Sequence, residues 1–144
     1  MPAEFHESGL RFQYPENWKL LRDEIDHGWI VEVQSPDTAF LMVCLRTDHP
    51  ACAELLEQSL ADLRSDYPEL DAEIAIARIA NHDATGYDVR FFSLDLTNTC
   101  YMRCFTCRAG TVLLLRQLAD LDADRLEPVL GAIIASLHVD GRSE

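Results

Sequence analysis

At 144 residues with 48% hydrophobic content, the chain is long enough for one domain that buries roughly 70% of its unfolded surface, and too apolar to be intrinsically disordered. Its formal net charge of −13 repels phosphate backbones and anionic lipid surfaces, which argues against nucleic acid and membranes as partners. No apolar run reaches the ~20 residues needed to cross a bilayer.

The first seven residues read as a loose end. Gly9 to Tyr14 alternates Leu10, Phe12 and Tyr14 with Arg11 and Gln13, the pattern of a half-buried strand. Pro15-Glu16-Asn17 turns the chain. A short strand is expected over Trp18 to Arg22, followed by a polar, turn-like Asp23 to Gly28. Trp29 to Gln34 alternates again, Ser35-Pro36-Asp37-Thr38 is a turn, and Phe40 to Arg46 is a strongly apolar strand. Pro50 suits the first turn of a helix, with Asp48 or His49 near its cap. Leu56, Leu60, Leu63 and Tyr67 recur at helical spacing and Pro68 ends the helix.

Glu73 to Ala80 reads as a strand and Asn81-His82-Asp83 as a turn. Tyr87 to Leu96, Thr99 to Arg108 and Thr111 to Leu118 form an antiparallel meander, with turns at Thr97-Asn98 and Ala109-Gly110. A last helix is expected from Asp122 or Asp124 to Leu137, with Leu126, Leu130, Ile133 and Leu137 on one face, before a loose HVDGRSE end. The order β-β-β-β-α-β-β-β-β-α describes a single α+β domain over 1–144. Largely antiparallel meander sheets carry two amphipathic helices packed in layers.

"GLRFQYPENW", the meanders that follow it and a final helix ending "LGAIIASLHV" resemble the PsbP/Mog1-like superfamily. That superfamily includes photosystem subunits, a Ran-binding factor and small bacterial proteins of unknown role, some of them secretion-effector chaperones. The resemblance spans nearly the whole chain, mostly as pattern. It implies a non-catalytic binding domain and carries no functional residue over.

A second likeness is local. Cys100, Cys104 and Cys107 have the C-x3-C-x2-C spacing of the radical S-adenosylmethionine enzymes, in which three thiolates hold an iron–sulfur cluster. On a strand the spacing separates them. Cys100 and Cys104 stand about 13 Å apart on one face, and Cys107 points to the other. Only 37 residues follow Cys107, too few for the barrel in which that family places its motif. No iron–sulfur cluster or other cofactor is expected.

Other sites are sparse. Five cysteines leave one unpaired in any full disulfide scheme, which fits a reducing compartment. MPAEFHES has no basic-then-apolar signal character, and a cytoplasmic protein is expected. Cys44, His49 and Cys52 lie within nine positions, a thin zinc set. Cys52 falls in the first helical turn, where the dipole lowers a thiol's pKa; it reads as a small apolar side chain under the helix or, alternatively, as the candidate reactive thiol. His82-Asp83 reads as a solvated turn and not as an acid–base pair. Asp120, Asp122 and Asp124 lack the glycine and terminal glutamate of a calcium loop and are expected to cap the last helix. Trp18 and Trp29 flank an acidic turn; they are expected as core residues of the first meander and, if partly exposed, would frame a protein-binding groove. No catalytic or metal-ligating residue is assigned. The reading is a non-enzymatic protein-binding or chaperone-like module, monomer or homodimer. The alternative is a cysteine-dependent redox or metal-binding enzyme.

Overall fold

A computed structural model describes residues 2–140. Its strands are β1 (Ala3–Glu7), β2 (Leu10–Tyr14), β3 (Lys19–Ile25), β4 (Gly28–Gln34), β5 (Phe40–Arg46), β6 (Asp71–Ile79), β7 (His82–Ser93), β8 (Leu96–Cys107), β9 (Gly110–Ala119) and β10 (His138–Val139). Helix α1 (Cys52–Asp66) joins β5 to β6. A 3-10 turn, Asp120–Asp122, leads from β9 into α2 (Ala123–Ala135). The architecture is α+β, as expected from the alternating and helical patterns.

Seven antiparallel strands form one sheet in the order β3-β4-β5-β9-β8-β7-β6. Six neighbouring pairs hold it together, and five of them are hairpins between consecutive strands. The exception is β5 with β9, where Cys44 lies opposite Leu113. A smaller sheet, β1-β2-β10, brings the two ends of the fold together.

Period-2 alternation sends side chains to both faces of the large sheet. One face carries Trp29, Val31, Val33, Leu45, Val112 and Leu114, covered by α2 and the small sheet through Leu130, Ile133, Leu10 and Phe12. The other face carries Val89, Phe91, Cys100, Met102, Cys104 and Leu113, covered by Leu56 and Leu60 of α1. The chain therefore forms three layers around two cores.

Several boundaries differ from the sequence expectation. Ala3–Glu7 is strand β1, paired along its length with β2, and His138–Val139 also pairs with β2; residues 141–144 lie outside the described residues. β3 runs on through Asp23 and Glu24 to Ile25, because ladder bonds to β4 outweigh the weak strand preference of acidic residues. The turns at each end of β7 sit at Ala80-Asn81 and Leu94-Asp95, where both residues of each pair are left-handed. That is the type I′ geometry, whose twist matches the flanking strands. Thr97 and Asn98, expected as a turn, lie inside β8 opposite Phe92 and Phe91. Neither helix has a side-chain N-cap: Ala51 begins α1 and Asp122 begins α2.

Candidate functional site

The cysteines divide by strand geometry. Cys100, Met102 and Cys104 lie on the α1 face, and Cys107 packs against the opposite core. The three sulfurs do not converge. Among the described residues no group of three His, Cys, Asp or Glu side chains is placed to hold a metal ion, so the Cys44/His49/Cys52 set is not a zinc site in this structure. His49 instead takes up a left-handed conformation at the end of the β5 loop. Burial pushes the Cys100 thiol up to about 12, which keeps it protonated and inert.

A different pair comes together. Cys52 stands in the first turn of α1 and Cys104 in the last third of β8, and both line a cleft of about 290 Å³ with Ile76, Asp83, Thr85 and Thr106. Three features place Cys52 there. Pro50 cannot continue a strand ladder and ends the loop. The buried Thr111 hydroxyl donates to the Pro50 carbonyl oxygen at 2.6 Å, which ties the helix start to β9. Leu56 and Leu60 then seat the helix on the sheet. The Cys104 thiol is raised by burial first, next by its hydrogen bond to Cys52, and then by the nearby Cys52 and Cys44 sulfurs. Burial also raises Cys44, partly offset by Arg46. The spacing of single residues gives no signal of the Cys52–Cys104 pair, which exists only once α1 lies on the sheet.

The remaining candidates take structural roles. Trp18 and Trp29 are 7% and 3% exposed. They fill the core under the small sheet, with Trp29 edge-on to Phe5 and its indole N–H donating to Ser8 Oγ at 3.0 Å. They frame no groove, because both are buried in the core, where Phe5 of β1 packs on Trp29. His82 and Asp83 point to opposite faces of β7: His82 stacks on Phe105 and Asp83 pairs with Arg78. Asp120 accepts from Thr99 at 2.6 Å and Asp122 from Arg125 at 3.0 Å, so these acids brace the entry to α2. A cleft of about 180 Å³ beside Tyr101 is lined by Arg78, Arg103 and Arg116. Each guanidinium is already neutralised, by Asp83, Asp88 and Glu127 respectively.

The surface feature that sequence patterning did not single out is the outer edge of the large sheet. On β6, Ile74 and Ile76 are 80% and 81% exposed. They alternate on the α1 side of a nine-residue strand whose outer edge is unpaired within the described residues. β7 lies inside it, with Ile74 opposite Tyr87 and Ile76 opposite Thr85.

No family model matches the chain, and no curated protein matches it. Solved structures do. Cyanobacterial PsbP (CyanoP) from Synechocystis sp. PCC 6803 superposes with a TM-score of 0.64 at 11% identity, covering 96% of this chain and 92% of that one. The fold is PsbP/Mog1-like. LpqN of Mycobacterium tuberculosis, described as involved in cell envelope biogenesis, matches with a TM-score of 0.55 at 13% identity over 96% and 89% of the two chains. PA94 of Pseudomonas aeruginosa, a protein of unknown function, matches with a TM-score of 0.54 at 10% identity over 94% of each. At such identities the PsbP/Mog1-like likeness concerns backbone architecture, while the β6 edge and the thiol cleft are properties of this chain's own side chains.

Proposed function

We propose that the protein is a non-catalytic binding module that takes up an extended segment of another protein along the outer edge of β6. The observation that carries this reading is the pair of isoleucines, Ile74 and Ile76, exposed on an unpaired edge strand. An unpaired edge offers a row of backbone donors and acceptors to an incoming strand. Alternate apolar side chains then supply the specificity of strand addition. The net charge of −13 favours a segment that alternates apolar with basic residues, by speeding its encounter and rejecting acidic competitors.

The test is a titration with two synthetic decapeptides, one alternating Val and Lys and the other Val and Glu, followed by backbone amide shifts. The basic peptide is expected to shift the β6 amides and the acidic peptide to leave them unmoved. Burying one isoleucine is worth about 1.5–3 kcal/mol, so replacing Ile74 and Ile76 together with Ser is expected to weaken binding at least tenfold. Unmoved β6 amides, or equal response to both peptides, rules the reading out.

A further inference from the structure

We propose that Cys52 and Cys104 form a dithiol site that hydroperoxides oxidise to a disulfide, fastening the start of α1 to the centre of the sheet. Cys52 and Cys104 face one another across a single cleft, and the Cys52 sulfur is near enough to help raise the Cys104 thiol. Both line the same cleft, of about 290 Å³, which is wide enough to admit a small peroxide beside Thr85 and Thr106. Cys52 is the more accessible of the two, since Cys104 is fully buried.

Geometry excludes the other partners for Cys104. Cys44 and Cys104 lie on either side of Leu113, with strand β9 between them. Two strand spacings separate their backbones by about 10 Å, beyond the ~7 Å limit for a disulfide. Cys100 stands four residues from Cys104 on the same strand, about 13 Å away. Cys107 belongs to the opposite core.

The chemistry balances in two steps. The Cys52 sulfur attacks the O–O bond of the hydroperoxide: an S–O bond forms, the O–O bond breaks, and the alcohol (or water, from hydrogen peroxide) leaves with the Cys52 proton. The Cys104 sulfur then attacks the Cys52 sulfenic acid: the S–S bond forms, the S–O bond breaks, and the departing hydroxide takes the Cys104 proton to leave as water. Two thiols lose two electrons and two protons, and the peroxide is reduced.

The experiment treats the full chain with hydrogen peroxide, blocks remaining thiols under denaturing conditions, and maps cross-linked peptides by mass spectrometry. The expected product is an intramolecular Cys52–Cys104 link, a loss of two hydrogens reversed by dithiothreitol. Cys52→Ser is expected to abolish the cross-link. Cys104→Ala is expected to leave Cys52 as a sulfenic acid that dimedone captures at least tenfold more than in the unaltered protein. A link between any other cysteines, or a Cys52 that stays reduced while others oxidise, overturns the proposal. Because the map is made on the unaltered chain, it decides the matter even if Cys104→Ala does not fold.

Discussion

The large sheet ends in two strands that are finished in opposite ways. On β3, Lys19, Arg22, Asp23 and Glu24 are all exposed. Arg22 grips Glu7 of the small sheet through two nitrogens and also reaches Glu24. Charges of both signs and a tether to a neighbouring sheet discourage another strand from adding there. On β6 the middle of the strand is Ile74-Ala75-Ile76, with no proline and no charge. The contrast shows that edge protection is applied locally. One side of the sheet is closed and the other left open, in a chain whose overall acidity already limits self-association.

The strongest way to break this comparison is to remove what the two sides share. Gly28 on β4 and Gly86 on β7 each lie one strand in from an edge. A Cβ at either would come within 1.8 Å of a backbone carbonyl oxygen, of Leu45 or of Met102 respectively. Gly86→Val is expected to cost about 3 kcal/mol, because backbone cannot give way as a flexible side chain can. Gly28→Val is expected to cost more, since its φ of +136° also disfavours a side chain. Urea midpoints measure both, and an unchanged midpoint for Gly86→Val would show that β7 does not pack so tightly on β8.

Next in size is a change at the centre of the sheet, away from both edges. Thr111→Val removes the donor to the Pro50 carbonyl and is expected to cost roughly 1–2 kcal/mol. The same urea series would reveal it. A third effect concerns association. High salt screens the net charge, and the open β6 edge is expected to drive concentration-dependent association seen by light scattering. Ile74→Lys with Ile76→Lys should suppress it, whereas Leu21→Lys on β3 should not. Equal suppression by all three would remove the distinction between the edges.

The smallest effect belongs to the closed side. The Arg22 hydrogen bond holds the Glu7 carboxyl below its ordinary value of 4.5. A depressed carboxyl stabilises the fold above that value, and the contribution is lost as pH falls through the lower folded-state value. Arg22→Ala is expected to lower the melting temperature slightly at neutral pH and not at all once Glu7 is protonated in both variants.

Most of the architecture is legible in the chain because it depends on local periodicity. Leu10, Phe12 and Tyr14 alternate, Leu56, Leu60 and Leu63 recur at helical spacing, and the division of Cys100 and Cys104 from Cys107 follows from pleat alone. What is not legible depends on distant partners. Ala3–Glu7 offers Phe5 as its one large apolar residue and becomes a strand only because β2 pairs with it. Leu94-Asp95 carries neither Gly nor Asn, so its left-handed turn is set by the register of β7 on β8. The cover that Phe5 gives Trp29 exists only once β1 pairs with β2. Cys52 and Cys104 meet across two elements that no single-strand geometry relates.

The one non-sequential pairing in the large sheet has a consequence for folding. β3-β4-β5 and β6-β7-β8-β9 are each built from hairpins, which close cheaply and early. β5 against β9 is the seam that joins the two blocks, with α1 as its connecting span. The β2–β10 pair draws together residues almost the whole chain apart, and only two residues of β10 repay that closure. β10 is therefore the last strand to dock and the first to open, and its amides should exchange with solvent before those of β9.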